Sequence, residues 1–129
     1  MRTIIFTVTL AALYALQTRA QAPAPTKGPD PGIHPVRQID RPDVRVLRVE
    51  IQPYAVRSVH THDDVKFHLF IPVSGNLEIT IGSAKPVEAT PGQAFLMEKG
   101  TPHGFRNTGS TPAMAMEVFV KDNAATAQK

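Results

Sequence analysis

The side chains with the greatest chemical reach in this sequence are its five histidines. His60-Thr61-His62 sets two imidazoles two residues apart, and alternation along an extended strand puts both on one face. His68 follows at a further even step, so an unbroken strand would carry it on the same face. His103 lies far along the chain, between Pro102 and Gly104. Neutral imidazole is a good ligand for zinc, copper, iron and nickel. The chain has no cysteine, so a metal site here would have to use nitrogen and oxygen donors. The same residues also fit a hydrogen-bonded core histidine and a solvated surface pair, so on their own they leave both roles open. His34 stands apart, in a proline-rich stretch, and reads as solvated.

Strands are the elements that must position these side chains. Val44–Ile51 is rich in β-branched residues, and Val65–Val73 is a second apolar run. Ser74-Gly75-Asn76 then has the composition of a tight turn. Leu77, Ile79 and Ile81 alternate with Glu78 and Thr80, the period-two signature of a half-buried strand. Further strands are expected around Ala94–Met97, Thr101–Asn107 and Ala113–Val120, with turns at Gly82 and Pro91-Gly92. No segment beyond the extreme N-terminus keeps a 3.6-residue apolar period. Short strands at this spacing imply an all-β sandwich or barrel.

The ends read differently. Met1-Arg2, an apolar stretch from Thr3 to Leu16 and the small residues of Thr18-Arg19-Ala20 together describe a secretory signal peptide over residues 1–20, cleaved after Ala20. A periplasmic or secreted protein follows, without stable membrane insertion once the signal is gone. Loss of Arg2 and Arg19 leaves twelve cationic against eleven acidic side chains, a net charge of +1 instead of +3. Such a balance offers no electrostatic footprint for nucleic acid. Six of the twelve prolines fall in residues 21–42, which are expected to form an extended arm or linker that cannot build a regular ladder. A single domain over residues 43–121 and a frayed polar tail over 122–129 complete the chain. A mature core this small also points to a homodimer.

Two stretches resemble the paired motifs of the cupin superfamily. The first family motif runs G-x5-H-x-H-x(3,4)-E-x6-G. Here Pro53-Tyr54 precede His60-Thr61-His62, Gly75 takes the closing glycine, and counting back from it places His68 at the glutamate position. The second motif runs G-x5-P-x-G-x2-H-x3-N, and Gly92, Gly100, His103 and Asn107 fall at its intervals, with Glu98 in place of the proline. The resemblance spans Val44 to Val120 and implies a double-stranded β-helix, or jelly-roll cupin barrel. It also implies one divalent metal ion (Fe, Mn, Zn, Ni or Cu), here with His60, His62, His68 and His103 as ligands. Asn107 would stabilise a loop.

The departures from the pattern matter. The glutamate is absent, and the interval from His62 to His68 exceeds the family's, so a bulge or longer loop is expected. Asp63 and Asp64 lie in that loop as alternative carboxylate ligands. Lys66 occupies the shortest family spacing, but a protonated ammonium cannot ligate. Alternation places Phe70 and Phe105 beside the histidines as pocket walls. What the resemblance implies is an exported metal-binding cupin acting on a small molecule, as a dioxygenase or related metalloenzyme. The alternatives are a periplasmic binding cupin without turnover and a degenerate cupin without metal. Glu98 and Glu117 qualify as further acid–base groups by type alone.

Overall fold

The computed structural model describes residues 30–122. The proposed signal peptide and most of the tail lie outside them. Among the described residues nine strands form: β1 (Ile33–Asp40), β2 (Val44–Ile51), β3 (Val56–His60), β4 (Val65–Ser74), β5 (Leu77–Ile81), β6 (Val87–Ala89), β7 (Phe95–Glu98), β8 (His103–Asn107) and β9 (Ala113–Lys121). They make two antiparallel sheets, one ordered β1-β2-β9-β4-β7 and the other β3-β8-β5-β6. This is a jelly roll, as the strand pattern predicts. Its core is the apolar inner face of both sheets, with Ile51, Phe70 and Ala115 from one and Leu77, Ile79 and Phe105 from the other.

The segment Ile33–Asp40 departs from the expected proline-rich arm. It pairs with β2 from Ile33↔Ile51 to Asp40↔Arg45, with one register shift. The ladder tolerates Pro35 because β1 is an edge strand, where one row of backbone donors has no neighbouring strand to serve. His34 is accordingly a half-buried strand residue opposite Glu50, rather than a solvated one.

The turn at Gly75 is also more than a hairpin. β4 and β5 belong to different sheets, so the chain changes layer there. Gly75 has φ 83°, and a Cβ at this position would lie 2.5 Å from the Ala113 Cβ. Both the left-handed backbone and the close approach to β9 require glycine. Asn107 has the loop-stabilising role expected of it. Its Nδ2 donates to the carbonyls of Ile51 (3.1 Å), Gln52 (3.2 Å) and Thr111 (2.8 Å), while its Oδ1 accepts from the Gly109 N–H (2.9 Å). One buried side chain thus satisfies backbone groups at the ends of both sheets.

Candidate metal centre

The four clustered histidines converge between the sheets. His60 ends β3 and His103 opens β8, and the two are direct register partners. His62 lies just beyond β3, in the connection that leads to β4. His68 approaches from the opposite sheet, on β4, where it pairs with Met97 and Phe119. The strand is therefore broken between His62 and His68. The overlong interval is the residue 61–64 crossover between sheets, a longer loop as the spacing requires.

Ring centroids lie 4.4 Å apart for His60–His103, 4.9 Å for His60–His62 and 5.2 Å for His62–His103. His68 sits 4.7 Å from His103 and 5.1 Å from His62. His60, His62 and His103 each offer a ring nitrogen within 4.8 Å of the others, so these three could hold a metal ion. His68 is outside that group of three. Its ring stacks on Phe119 (4.3 Å, 7° between planes), and its Nε2 lies 3.3 Å from Glu117 Oε1, in contact but without hydrogen-bond alignment.

Two histidines have their tautomers set by the backbone. His60 Nδ1 lies 2.8 Å from the Ser58 carbonyl, and His103 Nδ1 lies 2.8 Å from the Thr101 carbonyl. A carbonyl only accepts, so in the neutral form of each ring Nδ1 carries the proton and Nε2 keeps its lone pair. Among the described residues, Nε2 of His62 and His103 and both ring nitrogens of His68 are buried with no hydrogen-bond partner. Unsatisfied buried polar atoms are costly and uncommon, and ring nitrogens gathered within 4.8 Å of one another are what an ion could satisfy. The residues present fit the group.

Burial depresses the pKa of His62 and of His103, each to about 4, and the neighbouring imidazoles push in the same direction. For His103 the Thr101 carbonyl works against this depression. Both rings are therefore neutral, and able to ligate, well below neutral pH. Burial alone would raise the Glu117 carboxyl, but His68 beside it holds it below the ordinary carboxylate range.

Beside the cluster lies a cavity of about 300 Å³. Its walls include His60, His62, Phe105, Phe119, Glu117 and Arg45. Phe105 takes the expected wall position. Phe70 does not; it is fully buried in the core, 4.8 Å from the Phe105 ring. The loop carboxylates Asp63 and Asp64 are exposed, as are Lys66 and Glu98. Glu117, by contrast, is 7% exposed, faces the cavity and touches His68. Sequence reasoning gave it no specific role. Its parity with Ala113, Ala115 and Phe119 on β9 was the available signal, but Met114, Met116, Val118 and Val120 make the other face equally apolar.

A jelly roll with imidazoles gathered between its sheets defines a β-barrel protein with a candidate metal centre. The chain belongs to the cupin family, with the family described as Cupin domain matching residues 47–119. The fold is similar to that of KdgF from Halomonas sp. (21% identity, TM-score 0.64, covering 74% of this chain and 84% of that one). It is also similar to a cupin domain from Bordetella pertussis Tohama I (23% identity, TM-score 0.60, 71% and 96%). A third similar structure is the DMSP lyase DddQ from Ruegeria pomeroyi DSS-3 (17% identity, TM-score 0.63, 73% and 49%). No curated protein matches the chain.

Proposed function

We propose that this protein is an exported metalloenzyme of the cupin family that turns over a small molecule in the cavity beside the histidine cluster. The observation that carries this reading is the set of buried, unpartnered ring nitrogens on His62, His68 and His103 beside the backbone-oriented His60. In it His60, His62 and His103 hold one divalent ion, and His68 adds a fourth nitrogen from the opposite sheet. The ion supplies Lewis-acid polarisation of a substrate oxygen. The chain does the rest. The Ser58 and Thr101 carbonyls hold His60 and His103 in the ligating tautomer. Phe105 and Phe119 keep the site apolar, and Glu117 lies against His68 and offers a carboxylate at the cavity wall. That a neighbour in fold is a lyase acting on a small molecule supports the substrate class.

Elemental analysis of protein purified without chelator or a histidine tag tests the reading. The expected result is about one divalent ion per chain, with a rise in Tm on loading the stripped protein. No stoichiometric metal, and no Tm response to zinc, manganese, iron(II) or nickel, would sink it.

Export and homodimerisation belong to the same proposal. The tripartite N-terminus supports the first, and the exposed Val36 and Ile39 on edge strand β1 support the second. Intact mass of native protein should show loss of residues 1–20, and sedimentation at micromolar concentration should give a dimer. A full-length cytosolic product or a pure monomer would refute the respective part.

A further inference from the structure

The cavity contains one charge that the metal reading leaves without a role. Arg45, Leu47 and Val49 alternate along β2 and all line the cavity, so Arg45 occupies an inward-facing position. Its register partner on β9 is Phe119, just as Leu47 opposes Glu117. The Arg45 guanidinium lies over the Phe119 ring, 4.5 Å from its centroid. His68 stacks on the same ring at 4.3 Å, and it is the register partner of Phe119 on the other neighbouring strand, β4. Phe119 on β9 thus lies between Arg45 on β2 and His68 on β4, and it makes an edge contact with His62 at 4.9 Å. One aromatic ring separates the guanidinium from the imidazole cluster.

The other charges at this cavity have close partners. Arg57 is ion-paired to buried Asp30, which also accepts from the Ser58 backbone (3.1 Å) and hydroxyl (2.6 Å). Glu117 faces His68. Among the described residues Arg45 is ion-paired to Asp64 alone, at 3.8 Å, whose side chain is 62% exposed and so gives a weak, solvent-screened contact. Asp40, the other acid nearby, is engaged by Lys121 (2.7 Å) and Arg37 (3.1 Å). The Nε of Arg45 is buried and has no hydrogen-bond partner among the described residues. A guanidinium that is stacked, pre-oriented and short of acceptors is suited to bidentate capture of a carboxylate.

We propose that Arg45 is the anion-docking residue of this cavity and that its ligands are small organic acids. Their carboxylate lies in the guanidinium fork, with a second oxygen-bearing end toward His60, His62 and His103. The second contact rests on the metal reading; the first does not. A cavity of about 300 Å³ has room for such acids.

Calorimetric titration with succinate and glutarate, each against its uncharged diamide, tests the proposal on metal-loaded and chelator-stripped protein. Wild type should bind a diacid in preference to its diamide. Arg45→Met, which keeps an unbranched apolar stem but removes the guanidinium, should weaken diacid binding at least about tenfold while leaving metal content unchanged. Arg45→Lys should fall between the two, because it retains charge without the fork. Arg41→Met, in the exposed turn after β1, should bind like wild type. Equal affinity for diacid and diamide, undiminished diacid binding by Arg45→Met, or no diacid binding by loaded wild type would overturn it. If Arg45→Met does not fold, Arg45→Lys decides: an affinity equal to wild type overturns the proposal, and a loss of about threefold or more supports it. Should the protein take up no metal, the metal reading fails, while diacid discrimination by wild type and its loss in Arg45→Met still judge Arg45.

Discussion

His103→Ala is expected to purify with almost no metal, where the wild type holds about one ion per chain. His103 belongs to the group of three that could hold an ion, and its Nε2 is buried with no other partner. Its tautomer is fixed by the Thr101 carbonyl, so alanine removes a ligand already oriented for the task. A bound ion at about 100 times its dissociation constant stabilises a fold by roughly 2.7 kcal/mol. For a domain of this size that corresponds to about 10–20 °C in Tm. The metal-induced rise in Tm should vanish in His103→Ala, and comparing each variant with and without metal separates this from any loss of packing. His34→Ala should keep its metal, because His34 is outside that group. Retention of stoichiometric metal by His103→Ala would show that the cluster is not the site.

His68 discriminates between registers. As the fourth ligand, it should cost about 10–100-fold in metal affinity when replaced by alanine. If His68→Ala keeps full occupancy while Asp63→Ala or Asp64→Ala loses it, the loop carboxylate is the ligand. If Glu117→Gln loses it instead, the buried carboxylate on β9 is the donor. Measured occupancies of the four variants assign the position.

Legibility differed from element to element, for physical reasons. Leu77–Ile81 has one apolar and one polar face, so its alternation states which side is buried. Gly75, Gly92 and Gly100 all have positive φ, so counting from glycines located the turns and brought His68 to the cluster. β1 was hidden because proline density argues against a ladder, and only sheet order reveals that this strand is an edge. That His68 arrives from the opposite sheet was hidden too, since a turn sequence does not say whether its strands pair or part. Arg45 and Glu117 fall on strands whose two faces are compositionally alike: β2 mixes charge with apolar residues on both, and β9 is apolar on both. On such strands a single charged residue carries no inside-or-outside label. The pairing that puts Leu47 opposite Glu117 and Arg45 opposite Phe119 supplies it.

The metal-free protein should lose stability steeply as pH falls from about 6.5 to about 4. Burial lowers the pKa of His62 and of His103 from 6.5 to about 4 in the fold. Below 6.5 the unfolded chain therefore takes up protons that the folded chain refuses, and the unfolded state gains. Both groups act in this direction across the same window, and the loss levels off once the folded rings also protonate. Each tenfold difference in proton affinity between the two states corresponds to about 1.4 kcal/mol, so the two rings together should remove several kcal/mol even after solvent screening of the half-buried His62. Glu117 acts lower. Its folded pKa is depressed, so its contribution is complete above the unfolded carboxylate value and fades only below about 4.5. Urea unfolding in the presence of EDTA at pH 7.5, 6.0, 5.0 and 4.5 measures the slope. His103→Gln should flatten it by about half, since one of the two suppressed protonations disappears. A wild-type stability that is constant between pH 6.5 and 4.5 would mean that the rings protonate in place, and would remove the reason for treating them as ligands held ready in neutral form.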